Sequence, residues 1–196
     1  PGVEIEFYLG TVQDSNAANA DAEALSVFVN SKVDAAVLDR FPKLTLIATR
    51  STGFDHIDLE EVQKRHITLV SVPAYGANTV AEFAFALLLA LSRRICEAEE
   101  RVALQGSFSQ ANLTGFDLLG KTIGIVGCGQ IGIHMAKMAN GFGMHVLVFD
   151  TKRDEELAKS CNFTYTTLDE LLASSDVITL HVPYNEHTRH LINTGN

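Results

Sequence analysis

Basic side chains are scarce in this sequence. Fifteen Lys and Arg stand against 24 Asp and Glu, a formal net charge of −9. Long-range repulsion then argues against nucleic acid or an anionic membrane as the main partner. Cysteine is scarcer still, with only Cys96, Cys128 and Cys161. Their spacing matches no metal motif, and an odd, sparse count suits idle or buried thiols in a reducing compartment, so a cytoplasmic location is expected. No signal peptide or basic targeting run opens the chain. It begins at Pro1 without an initiator Met and reads as a fragment or a processed product. Long apolar runs are lacking too: "FAFALLLAL", from Phe83 to Leu91, has nine residues, against the roughly 20 that cross a bilayer. There are no repeats and no low-complexity tracts.

What is present is an ordinary globular balance, 46% hydrophobic and 20% charged, in a chain long enough for one large domain or two small ones. The first half alternates short β-branched runs with helical patterns. "VEIEFYL" (3–9), "ALSVFV" (24–29), "LTLIATR" (44–50) and "ITLVSV" (67–72) read as strands, with helices at "KVDAAVLDRF" and "DLEEVQKR" between them. Such alternation favours a parallel sheet covered by helices, an α/β fold. "NTVAEFAFALLLALSRRICEAEERVALQ" reads as the longest helix, opened by a capping box of Thr79 and Glu82. Its first half is apolar all round and expected to be buried; its second half is charged and amphipathic. Residues 105–121 read as a polar linker or arm, and the domain boundary is placed near residue 100.

The α/β pattern then restarts with strand 122–126, helix 130–142, strand "MHVLVFD", a charged helix from Arg153, a short "FTYT", helix "LDELLASS" and strand "DVITLHV". Between the first strand and helix, Gly127, Gly129 and Gly132 form GxGxxG. The first glycine permits a tight turn, the second lets a pyrophosphate approach the backbone, and the third lets helix pack close to strand. Free amides and the positive end of the helix dipole then face the phosphates. Asp150, 18 residues after Gly132, ends the next strand, where a carboxylate can accept both ribose hydroxyls. Two plainer readings stand beside these: a structural strand–helix turn, and Asp150 as N-cap of the helix from Arg153.

"LIATRSTGFDHIDL" (46–59), "VPAYGANTVAEFAFALLLAL" (72–91), "GIVGCGQIG" (124–132) and "LDELLASSDVITLHVPYNEHTRHLIN" (168–193) together resemble the D-2-hydroxyacid dehydrogenase family along nearly the whole chain, D-lactate dehydrogenases in particular. The resemblance implies a flavodoxin-like substrate domain over residues 1–100, its first strand missing before Pro1. It implies a partial Rossmann-like NAD-binding domain over 101–196. The cofactor would be NAD and the substrate a small 2-hydroxy or 2-oxo acid such as D-lactate or pyruvate; relatives dimerise through the cofactor domain. Gln130 and Ile131 would join the glycines under the pyrophosphate and Asp150 would take the adenosine ribose. His181, Val182, Pro183 and Thr188 would line the cofactor. Thr52 and Gly53 would hold the substrate carboxylate through backbone amides, with Tyr75 at the substrate pocket. For His181 a satisfied core histidine, for Tyr75 ordinary packing, and for Thr52–Gly53 a strand-ending turn remain open. Phe83 replaces the His that many relatives carry after the Ala-Glu pair, a packing variation.

Hydride transfer to a 2-oxo acid leaves an alkoxide unless an acid is positioned to protonate it. The resemblance supplies that acid as a His tuned by a Glu, with an Arg clamping the carboxylate, all beyond the segment ending "HLINTGN". His187 and His190 sit in a polar tail and offer no replacement triad. The chain is therefore expected to hold the cofactor cradle without catalytic residues, and to be inactive alone. A rival of a different class is an NAD(H)-sensing binding module of the co-repressor type, which a pull-down responsive to the NAD+/NADH ratio would reveal.

Overall fold

The computed structural model describes residues 2–15 and 18–196. The chain divides into two compact units, Pro1–Tyr75 and Gly76–Asn196, each built on its own parallel sheet.

In the first unit β1 (Ala24–Val27), β2 (Leu46–Thr49) and β3 (Thr68–Val70) lie in the order β1-β2-β3, all parallel. Helices α1 (Ala35–Leu38) and α2 (Leu59–Lys64) make the connections. Each begins at an aspartate: Asp34 accepts from the Val37 amide and Asp58 from the Glu61 amide, both at 3.1 Å. Glu60 and Glu61 in the first turn of α2 and Lys64 in its last suit the helix dipole. Val33, Leu38 and Ile47 are fully buried at the centre of this core.

Residues 3–9, expected as a strand, are irregular and pair with no described segment, and Val3, Ile5, Phe7 and Leu9 are all exposed. Alternation alone does not hold a strand, because an extended segment satisfies its backbone only through a ladder neighbour.

In the second unit β4 (Thr122–Val126), β5 (His145–Phe149), β6 (Thr164–Tyr165) and β7 (Val177–Leu180) form a parallel sheet in the order β6-β5-β4-β7. Helices α3 (Ala77–Ser92), α4 (Ile95–Gln105), α5 (Gln130–Gly141), α6 (Glu155–Ser160) and α7 (Leu168–Ser174) accompany it. From β4 onward every element was expected, with ends differing by a few residues at most. Local signals explain this: Asp154 caps α6 by accepting from the Leu157 amide at 2.9 Å, and Thr167 and Glu170 make a reciprocal capping box at α7.

The segment before β4 departs from expectation in three ways. The single long helix is two, α3 and α4, broken where Arg94 takes a left-handed conformation (φ 51°) and the Ser92 carbonyl accepts from the Phe116 amide at 3.0 Å. The Thr79–Glu82 capping box does not form, because α3 starts earlier, with Gly76 as N-cap and Asn78 donating to Glu82 instead. And α3 buries one face only: Ala81, Phe85, Leu88 and Ser92 are buried, while Val80, Phe83, Leu87 and Leu91 are exposed. The buried face packs along α5, with Phe85 stacked 4.9 Å from Phe142. That packing moves the boundary. The division expected near residue 100 falls inside α4, and the units part instead between Tyr75 and Gly76, because α3 shares its core with β4 and α5.

Among the described residues no helix is long and apolar enough to cross a membrane.

Candidate cofactor site

The register of the second sheet sets Val126 opposite both Phe149 and Leu180. The chain therefore leaves β4, β5 and β7 at one level, at Gly127, Asp150 and His181. β4 is also where the strand order reverses, with β5 and β6 on one side and β7 on the other. Ligands of open α/β sheets sit at the carboxyl ends of the strands at such a switch point.

Gly127 occupies a conformation that disfavours any side chain, with φ at +94°. A Cβ there would stand 2.7 Å from the His181 carbonyl oxygen and from Val182 Cγ1. Its amide donates to the Phe149 carbonyl at 2.8 Å. A Cβ on Gly132 would lie 2.2 Å from the Gly127 carbonyl oxygen, so the first turn of α5 rests directly on the loop. Gly129 differs: its would-be Cβ meets nothing within 4 Å. It is the N-cap of α5, with no side-chain hydrogen bond there. Gln130 beside it is exposed, while Ile131 packs against the core. The start of α5 is thus an open backbone surface carrying the positive end of a 12-residue helix.

Asp150 faces this loop. Its Oδ2 accepts from the Cys128 amide at 2.7 Å and its Oδ1 from the Lys152 amide at 2.9 Å. Asp154, not Asp150, caps the helix that follows, which removes the plainer reading of Asp150. The Thr151 hydroxyl also donates to Oδ1, at 3.5 Å; a carboxylate offers about four acceptor positions, so acceptor capacity remains for a ligand's hydroxyl. The Cys128 thiol is buried and its pKa is pushed up to about 11, mainly by burial and secondarily by Asp150. It stays a neutral thiol, not a nucleophile.

His181 is half-buried, extends the ladder by donating its amide to the Val126 carbonyl at 2.8 Å, and places Nε2 2.9 Å from Thr179 Oγ1. Burial lowers the pKa of its imidazole. Val182 lies against Gly127. Pro183 and Thr188 belong to the following loop, where the Thr188 hydroxyl donates to the Pro183 carbonyl and accepts from the Asn185 amide. A groove of about 590 Å³ along β5, β6 and α6 contains none of the glycine-turn residues; it lies against a sheet edge, away from the amides of α5.

In the first unit Thr52, Gly53 and Tyr75 follow the carboxyl ends of β2 and β3. Thr52 Oγ1 donates to the Val72 carbonyl at 2.9 Å, and Tyr75 is exposed. Sequence reading missed what holds this loop. Buried Thr49 and Ser51 share a 2.6 Å hydroxyl contact, Thr49 meets His56 Nε2 at 3.2 Å, and Ser51 donates to the Gly53 carbonyl at 2.7 Å. The i, i+2 spacing of Thr49 and Ser51, like that of Thr179 and His181, was the available signal.

A parallel sheet with an uncapped helix start at its switch point, and a carboxylate ending the adjacent strand, defines a dinucleotide-binding unit. The D-isomer specific 2-hydroxyacid dehydrogenase NAD binding domain matches residues 85–196. This chain belongs to the D-isomer specific 2-hydroxyacid dehydrogenase family, its second unit is a Rossmann-like domain, and the cofactor of that domain is NAD. The glyoxylate reductase of Korarchaeum cryptofilum is 40% identical over 176 residues, 88% of this chain and 53% of that protein. The D-lactate dehydrogenase of Aquifex aeolicus, solved with NAD and lactic acid, is 43% identical with a TM-score of 0.82, over 89% of this chain and 52% of that one. The apo D-lactate dehydrogenase of Escherichia coli is 37% identical with a TM-score of 0.77, over 88% and 55%. The chain spans about half the length of these relatives.

Proposed function

We propose that this chain is the cofactor-holding part, with an adjoining substrate-carboxylate unit, of an NAD-dependent oxidoreductase that interconverts a 2-hydroxy acid and a 2-oxo acid. The observation that carries the reading is Asp150, fixed against the Cys128 amide beside the open, uncapped start of α5. The residues fit the cofactor: Gly129 leaves room for a pyrophosphate, and Asp150 keeps acceptor capacity for a ribose hydroxyl. When bound, the nicotinamide would supply or take the hydride.

The chain's own residues bind and orient. Gly129, Gln130 and Ile131 present amides to the phosphates, with Gly127 and Gly132 shaping the turn beneath them. Asp150 selects the ribose, and His181, Val182, Pro183 and Thr188 bound the far side. Thr52 and Gly53 offer backbone amides to a substrate carboxylate, with Tyr75 at the substrate pocket. The acid that protonates the alkoxide is assigned to the half of the relatives' length that this chain does not span. The glyoxylate reductases and D-lactate dehydrogenases among the relatives support a short 2-oxo acid as substrate. Three free cysteines fit a cytoplasmic setting, and the exposed apolar stripe of α3 fits a homodimer.

Calorimetric titration of the chain with NADH and NADPH tests the reading. Saturable binding of NADH, tighter than that of NADPH, is expected. Failure of both to bind would overturn it.

A further inference from the structure

Arg153 lies three residues after Asp150, where a free guanidinium would be a ready ligand for the 2′-phosphate that distinguishes NADP(H) from NAD(H). It is not free. Its guanidinium stands 5.8 Å above the Tyr165 ring centroid, and Nη2 donates to the Thr166 carbonyl at 3.1 Å. Tyr165 is itself fixed. It pairs with Val148 in the sheet, its hydroxyl accepts from the Asp154 amide at 3.2 Å, and the Phe163 ring meets it edge-on at 5.1 Å. Its contacts with Tyr165 and Thr166 therefore draw Arg153 toward the end of β6, whereas Asp150 turns Oδ2 to the glycine loop.

We propose that Tyr165 is a specificity-determining residue of the cofactor site, acting through Arg153: by stacking on the guanidinium it withholds from NADP(H) the phosphate ligand that the loop would otherwise offer. The inference rests on the dinucleotide reading above. It adds that discrimination comes from two devices, the Asp150 carboxylate and the Arg153 stacked on Tyr165, and that the second is separable from the first.

The test uses the full chain as wild type, Arg153→Ala, Tyr165→Leu, Tyr165→Phe and the Arg153→Ala/Tyr165→Leu pair, with Lys152 retained throughout. NADH and NADPH affinities are measured by fluorescence titration. The Arg153 side-chain Nε–Hε resonance is followed by NMR as a readout of the stack that needs no cofactor. In the wild type and in Tyr165→Phe, which keeps the ring, the resonance should show a ring-current shift. Tyr165→Leu should lose that shift and bind NADPH about tenfold more tightly, what one charge-assisted bond to phosphate contributes, with NADH affinity unchanged. Arg153→Ala alone should leave NADPH affinity as in the wild type, and the double variant should lose the gain.

A drop in NADPH affinity in Arg153→Ala alone would show that Arg153 already serves the phosphate and would overturn the proposal. So would a Tyr165→Leu protein that loses the shift without gaining NADPH affinity. Should Tyr165→Leu fail to fold, the comparison of wild type with Arg153→Ala still decides. Binding of neither dinucleotide by the wild type overturns the cofactor reading and this role with it; NADH binding with any failure named above overturns this role alone.

Discussion

The backbone amide of Cys128 donates to Oδ2 of Asp150 across 2.7 Å, tying the glycine loop of one strand to the carboxylate that ends the next. Two consequences of substitution follow. Asp150→Ala removes the acceptor for the Cys128 and Lys152 amides and the acceptor proposed for the ribose. Loss of a charge-assisted hydrogen bond, roughly 1.5–3 kcal/mol, corresponds to about ten- to a hundredfold in NADH affinity. NADPH affinity should fall less, because a carboxylate that repels the 2′-phosphate goes with it. Calorimetry on the variant with both cofactors checks this; an unchanged NADH to NADPH ratio would remove Asp150 from discrimination.

Gly129→Ala and Gly132→Ala separate binding from folding. An added Cβ at Gly129 meets no atom of the chain, so thermal stability should hold while NADH affinity drops at least severalfold, since the methyl occupies the space assigned to the pyrophosphate. At Gly132 the Cβ would sit 2.2 Å from the Gly127 carbonyl oxygen. Overpacking of that kind costs typically about 1–3 kcal/mol, and the melting temperature of the second unit should fall. Equal effects of the two substitutions on melting would contradict the open surface at α5.

Most of the second unit was legible in the sequence because its signals are local. Period-2 and period-3.6 patterns, the Thr167–Glu170 capping box and the glycine spacing each act within a few residues. Where long-range contacts decide, reading failed. The break between α3 and α4 depends on the Phe116 amide reaching Ser92, and residues 3–9 needed a ladder partner that no described segment supplies. The candidate site divides in the same way. Gly127, Gly129, Gly132 and Asp150 stood out by spacing. The Arg153–Tyr165 stack joins residues twelve positions apart through β6, and nothing in the sequence marks it.

His181 gives the second unit an acid-sensitive element. Burial lowers its pKa from the ordinary value of about 6.5. Between the folded and ordinary values the unfolded chain binds the extra proton, so stability rises with pH through that window. Its contribution is therefore complete above about pH 6.5 and is lost as pH falls toward the folded value. His56 has the same sign in the first unit, where burial lowers its pKa and Asp55 partly opposes the shift. Urea unfolding from pH 7.5 down to pH 5 should show declining stability, with a shallower decline in His181→Gln. An identical slope in the variant would assign the effect elsewhere.

The exposed face of α3 bears on assembly. Val80, Phe83, Leu87 and Leu91 recur at helical spacing and are 47%, 66%, 57% and 72% exposed, on a helix whose opposite face is buried against α5. Isolated apolar residues on a surface need no explanation, but a continuous stripe of four large ones usually marks a contact. β7 adds to this. It is an edge strand of the sheet with Ile178 and Leu180 exposed, and the sequence "VITL" has none of the charges or prolines that protect edges. The chain should therefore be a dimer or larger at micromolar concentration by light scattering. Leu87→Glu with Leu91→Glu should shift it toward monomer, because two carboxylates set in the stripe would each have to be desolvated on association. The buried face of α3 is untouched by these changes, so the melting temperature of the dissociated chain should stay close to that of a diluted wild type. If the wild type is a stable monomer, the stripe has no homodimeric partner; if the double variant keeps the wild-type mass, association runs through the β7 edge instead.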